Sequence, residues 1–153
     1  MASVVLLLGS ASDKPVAAKA EKTLERLGID HETHVASAHR TPKRVVELVE
    51  NSDAQVFIAI AGLSAALPGV VAAHTRKPVI GVPCTSDSSP GNLDSLLSVV
   101  QMPPGVPVGA VGLGRGDNAA LLAARILALG NDGIAAALED YQAELERKVI
   151  ESS

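Results

Sequence analysis

At 153 residues, with 17 acidic against 13 basic side chains and a formal net charge of −4, the chain is sized for one ordinary domain and has no long basic run to track a nucleic acid. Hydrophobic residues make up 47%, yet Phe57 and Tyr141 are the only aromatics, which excludes a stacking platform for bases. Small branched side chains, in a chain long enough to bury roughly 70% of its unfolded surface, point to a parallel sheet covered on both faces.

The apolar start, Met1 to Leu8, lacks a basic leader and stops at Gly9-Ser10, too short for a signal peptide or a membrane span. Val4 to Leu8 reads as a buried strand. Asp13 then caps a helix with Pro15 in its first turn and Val16, Ala20, Leu24 and Leu27 at helical spacing, closed by Gly28. A short strand over His31 to Val35 follows, and Thr41-Pro42 opens a helix carrying Val45, Val46 and Val49. Val56 to Ile60 is the third strand, and the small-residue segment Ala61 to Ala73 turns and becomes a helix. Pro78 to Val82 is a fourth strand, Pro83 to Asn92 a polar loop, and Leu93 to Val100 a short helix. Cys84, in that loop, is the only cysteine, so no internal disulfide forms and the chain suits a reducing compartment such as the cytoplasm. Val106 to Val111 reads as the fifth strand, with Asp117 capping a helix over Asn118 to Leu129 that ends at Gly130.

One more helix, about 132–150, places Ile134, Leu138, Tyr141 and Leu145 on an apolar stripe. It is either a last helix packed on its own domain or an arm packed on a neighbouring subunit. The whole of 1–153 reads as one α/β domain. Strands separated by helices imply right-handed crossovers and a parallel sheet, whose ligands bind beyond the carboxyl ends of the strands. That rule selects the loops Gly9–Asp13, Ala36–Arg40, Ala61–Pro68 and Pro83–Asn92.

The first loop, Gly9-Ser10-Ala11-Ser12-Asp13, offers hydroxyls and helix amides to an anion, although taken alone it reads better as Ser12 or Asp13 serving only as a helix cap. It is neither a Walker motif nor a dinucleotide fingerprint. The second, Ser37-Ala38-His39-Arg40-Thr41-Pro42, sets a hydroxyl, an imidazole and a guanidinium in one turn. Arginine grips a phosphate in a fork, and histidine is the side chain suited to moving protons near neutral pH. His31 and His34 read as surface residues of an edge strand, and His74 as a helix C-terminal residue. No histidine pair has metal-ligand spacing, so no metal site is expected. Gly112-Leu113-Gly114-Arg115-Gly116 reads as a plain strand-to-helix turn or one that meets a neighbouring subunit.

Four stretches in order, Gly9 to Asp13, Ser37 to Pro42, Leu93 to Pro103 (including Gln101-Met102-Pro103) and Asn118 to Ala124, resemble the PurE family over Val4 to about Leu129. These are the aminoimidazole ribonucleotide carboxylase and mutase enzymes of purine biosynthesis. The resemblance implies a flavodoxin-like, three-layer αβα fold and a homo-octamer. It implies that Ser10, Asp13 and Arg40, joined by Ser37, hold the ribose-phosphate end of the substrate, and that His39 is the acid/base at the imidazole ring. The third loop, through Ala61, Gly62, Ser64 and Leu67, is expected to line the place where carboxylate or carbon dioxide sits. No metal or organic cofactor is implied; the partners are the ribonucleotide and carbon dioxide.

Within the family the third loop is unusual. The mutase branch has a histidine before Leu-Pro-Gly, where this chain has Ala66 before Leu67-Pro68-Gly69; the carboxylase branch has an arginine where this chain has Leu63. Ser64 resembles the carboxylase branch, while the second loop and Gln101-Met102-Pro103 resemble the mutase branch, so the expected reaction is an isomerisation, from 5-carboxyaminoimidazole ribonucleotide to 4-carboxy-5-aminoimidazole ribonucleotide. The alternatives are direct carboxylation by carbon dioxide, a lyase-type reaction, and a catalytically silent nucleotide-binding homologue. A phosphoacceptor receiver is excluded by Gly9-Ser10 and Ala61-Gly62 where it needs acids. A flavin carrier is disfavoured by Phe57 and Tyr141 lying in a strand and the last helix.

Overall fold

The structure is a computed structural model, and it describes residues 2–63, 65–87 and 90–153. Ser64, a candidate of the third loop, lies outside the described residues. Five parallel strands form one sheet: β1 (Val4–Leu8), β2 (His31–Val35), β3 (Val56–Ala61), β4 (Val79–Pro83) and β5 (Gly109–Ala110), in the order β2-β1-β3-β4-β5. β1, β3 and β4 are buried at every position because they are covered on both faces, whereas β2, at the edge, is only partly buried.

Strand periodicity sorts the core into two halves. Val4, Leu6 and Leu8, with Ile58, Ile60, Ile80 and Val82, face α1 (Lys14–Arg26) and α5 (Gly116–Ala128). Val5, Leu7, Phe57 and Ala59 face α2 (Pro42–Glu50), α3 (Leu67–Ala73) and α4 (Leu93–Val100). This is the expected three-layer α/β architecture. The alanines of α5, Ala119, Ala120, Ala123 and Ala124, are fully buried in the first half of the core. Gly116 has the tightest approach: a Cβ there would lie 2.2 Å from the Val16 carbonyl oxygen of α1. The small residues of this helix are therefore used within the chain.

α6 (Asp132–Glu151) packs its first half on the same core through Ile134, Leu138 and Tyr141. Arg26 stacks over the Tyr141 ring at 4.6 Å and pairs with Glu144. Farther along, Leu145, Val149 and Ile150 are exposed.

Three local expectations are corrected. The fifth strand is Gly109–Ala110, not Val106 to Val111: Pro107 lacks a ladder donor, and the Val106 amide donates to Pro103 O at 3.2 Å in a turn. α5 starts at Gly116 with Arg115 at its cap, so Asp117 lies in the first turn and pairs with Arg115 at 2.7 Å. Asp13 occupies the cap position of α1 but makes no side-chain bond to the helix.

Candidate active site

The strand order reverses between β1 and β3, and the loops that follow them open a crevice at the sheet's carboxyl edge. Gly9 extends the ladder, its amide donating to Ile60 O at 2.9 Å. Ser10 is extended and its Oγ accepts from the Ser12 amide at 3.3 Å, capping one turn of 3-10 helix over Ala11–Asp13. Asp13 then turns its carboxylate inward rather than onto α1, and it is only 7% exposed. A Cβ built on Gly9 or on Gly62 would come within 3.8 or 4.0 Å of a carboxylate oxygen, so the two glycines flank it. Burial pushes the Asp13 carboxyl above the ordinary aspartate range; the Cys84 thiol and the Ser10 amide beside it pull the other way.

The second loop is held by a reciprocal pair. Thr41 Oγ1 accepts from the Ser37 amide at 2.8 Å and donates to Ser37 O at 3.2 Å. This spends the hydroxyl that would otherwise cap α2. Ser37 Oγ accepts from both the amide and the Nε of Arg40, at 3.1 and 3.2 Å. Arg40 Nη2 crosses to the first loop and donates to Gly9 O at 3.0 Å. The guanidinium is thus oriented before any ligand arrives, and it fastens the two loops together. His39 stands at the exposed apex of this turn.

Together these loops enclose a cavity of about 410 Å³, within the range of about 300–1,000 Å³ usual for small-molecule sites. Of the residues singled out by sequence, Ser10, Asp13, Ser37, His39, Arg40, Ala61, Gly62 and Leu67 all line it. Ser12, read from the sequence as an anion-binding hydroxyl or a helix cap, lines it too, as do Thr85 and Ser86, which sequence reasoning did not single out. The last two belong to the fourth loop, chosen by the carboxyl-edge rule, but nothing in Thr-Ser distinguishes a lining pair from a solvated turn. His31, His34 and His74 are elsewhere, His34 beside Glu32 and His74 beside Glu50. Among the described residues no group of three or more His, Cys, Asp or Glu side chains is placed to hold a metal ion.

The family model described as AIR carboxylase matches residues 3–148. The chain belongs to this family. Over 149 residues it is 54% identical to an N5-carboxyaminoimidazole ribonucleotide mutase of Methanocaldococcus jannaschii, covering 97% of this chain and 94% of the relative. It is 45% identical to the mutase of that name from Thermotoga maritima, over 100% of this chain and 91% of the relative. The crystal structure of Treponema denticola PurE superposes with a TM-score of 0.85 at 36% identity, covering 97% of this chain and 94% of that one. This AIR carboxylase family is the PurE family that the loops resemble, and the fold is the one the resemblance implied.

Proposed function

We propose that the chain is an N5-carboxyaminoimidazole ribonucleotide mutase of purine biosynthesis, an isomerase that moves a carboxylate from the exocyclic nitrogen to ring carbon 4. The observation that carries this reading is the meeting of His39, Arg40, Ser10, Asp13 and the backbone of Gly62 in one cavity. Similarity to mutases along nearly the full length of the chain supports it.

The roles follow from chemistry. Arg40, presented by Ser37 and Gly9, meets the phosphate, with the Ser10 hydroxyl beside it. The Asp13 carboxylate accepts from ribose hydroxyls. The imidazole ring then lies toward His39. Protonation of the exocyclic nitrogen by His39 breaks the N–C bond and releases carbon dioxide. The electron-rich ring carbon 4 attacks it, forming the new C–C bond. His39 takes the proton that carbon 4 sheds, which restores its starting state. No proton, electron or atom is left over, so the cycle needs no cofactor. The third loop, through Ala61, Gly62 and Leu67, lines the place where carbon dioxide waits, and its small residues leave room for it.

We also infer a homo-oligomer, an octamer on the family resemblance, supported by the exposed apolar second half of α6 (Leu145, Val149, Ile150). A cytoplasmic location fits a nucleotide substrate and a free, buried Cys84. Among the described residues no helix is long and apolar enough to cross a membrane.

The test is a substrate comparison. Product should form from the carboxyamino compound without bicarbonate, and not from the amine plus bicarbonate. The opposite pattern would assign the carboxylase reaction; no product from either would assign a silent homologue.

A further inference from the structure

Thr41 stands at the cap position of α2, where its carbonyl accepts from the Val45 amide at 3.2 Å. A threonine in that place ordinarily turns its hydroxyl onto an unpaired amide of the first helical turn. Here the side chain makes no bond to the helix. Oγ1 reaches back along the chain instead, accepting from the Ser37 amide at 2.8 Å and donating to Ser37 O at 3.2 Å. The turn itself does not need this hydroxyl, because the Thr41 amide already donates to Ser37 O at 2.9 Å. What the hydroxyl adds is a grip on both backbone groups of Ser37, which fixes the direction of the Ser37 side chain.

That direction matters to the cavity. Ser37 Oγ accepts from the Arg40 amide at 3.1 Å and from Arg40 Nε at 3.2 Å. A hydroxyl has two lone pairs and one proton, so with both lone pairs facing Arg40 the proton is left to donate elsewhere. Ser37 and Arg40 both line the cavity, whereas Thr41 is not part of its wall. We propose that Thr41 is a positioning residue for the phosphate end of the substrate: by holding Ser37 N and O, it makes the Ser37 hydroxyl seat the Arg40 guanidinium and point its own proton at the same anion. The proposal rests on Arg40 being the phosphate ligand.

Thr41→Val keeps the shape and the backbone bond and removes both hydroxyl bonds; Thr41→Ser keeps the hydroxyl. Binding of 4-carboxy-5-aminoimidazole ribonucleotide and of its phosphate-free nucleoside should be measured by calorimetry, in the wild-type and Arg40→Ala backgrounds, alongside KM and kcat. Thr41→Val should weaken nucleotide binding and raise KM about 3- to 10-fold, the worth of a neutral hydrogen bond. Its kcat should stay within about twofold, as expected for a group remote from the reacting carbon, and nucleoside binding should not change. Thr41→Ser should recover the nucleotide affinity. In the Arg40→Ala background Thr41→Val should cost nothing further, because the two residues act through one contact. The proposal is overturned if Thr41→Val binds nucleotide like wild type, if it weakens nucleoside and nucleotide alike, or if its penalty persists in full without Arg40. An Arg40→Ala protein that binds nucleotide normally overturns the phosphate reading and this proposal together; a loss in Arg40→Ala with none in Thr41→Val overturns this proposal alone. The binding measurements need no turnover, so a failure of the mutase reading is seen separately.

Discussion

Removing the guanidinium of Arg40 should separate binding from chemistry. Arg40 makes two side-chain bonds in the free protein, Nη2 to Gly9 O at 3.0 Å and Nε to Ser37 Oγ at 3.2 Å, and both are exposed. A charge-assisted contact to a phosphate contributes about 1.5–3 kcal/mol, which converts to roughly 10- to 150-fold in affinity. Screening over a Debye length of about 8 Å at physiological salt places an exposed group toward the lower end. Arg40→Ala should therefore raise KM roughly 10- to 50-fold and leave kcat within about threefold, because the group is absent from the reacting carbon. Loss of the loop clamp adds a Tm decrease of less than about 5 °C, since two exposed bonds are worth only about 1 kcal/mol together. The assay is steady-state kinetics on the carboxyamino nucleotide, with binding of the nucleotide and of its phosphate-free nucleoside compared by calorimetry. The penalty should vanish for the nucleoside. An equal penalty for both ligands, or an unchanged KM, would refute the phosphate role.

Three other perturbations have defined outcomes. His39→Asn keeps hydrogen-bonding capacity but carries no proton, so kcat should fall by about 10²- to 10⁴-fold with nucleotide affinity nearly unchanged; equal losses in both would indicate positioning instead. Asp13→Asn should abolish tight nucleotide binding and yet stabilise the ligand-free protein at pH 7. The carboxyl is held above its ordinary value by burial, so its ionisation costs stability as pH rises through the raised value, and the gain should shrink as pH falls toward 3.8; a Tm difference constant from pH 4 to 8 would contradict this. Gly116→Ala drives a methyl to 2.2 Å from the Val16 backbone oxygen, so α1 and α5 must separate. Overpacking of this kind costs about 1–3 kcal/mol, a Tm decrease of roughly 2–12 °C at 2–4 °C per kcal/mol; a Tm equal to wild type would show that the helices yield freely.

Much of the fold was legible because α/β alternation writes itself into local pattern. The all-apolar runs Val4–Leu8 and Val56–Ala61 are each buried end to end, as two covered faces require. The cavity followed from the same source: once the strands are parallel, the loops after β1, β2 and β3 share an edge, and eight of the singled-out residues line one space there. What stayed hidden depends on contacts between distant parts of the chain. Asp13 looked like a helix cap because capping is a local property; its burial comes from Gly62 and Cys84, far along the sequence. Cys84 was read only for disulfides, and its burial comes from the way β4 ends beside β3, its amide donating to Ala61 O. The fifth strand was overestimated because valines at 106, 108 and 111 suit a strand, while Pro107 between them ends its pairing.

Carboxylate transfer by the proposed mutase route fixes where the carbon goes. The direct measurement is to label the exocyclic carboxylate with carbon-13 and run the reaction in a large pool of unlabelled bicarbonate with carbonic anhydrase present. Retention of the label at ring carbon 4 in nearly every product molecule is the expected result, because on the proposed route carbon dioxide does not leave before the ring attacks it. Dilution of the label to the level of the pool would contradict it.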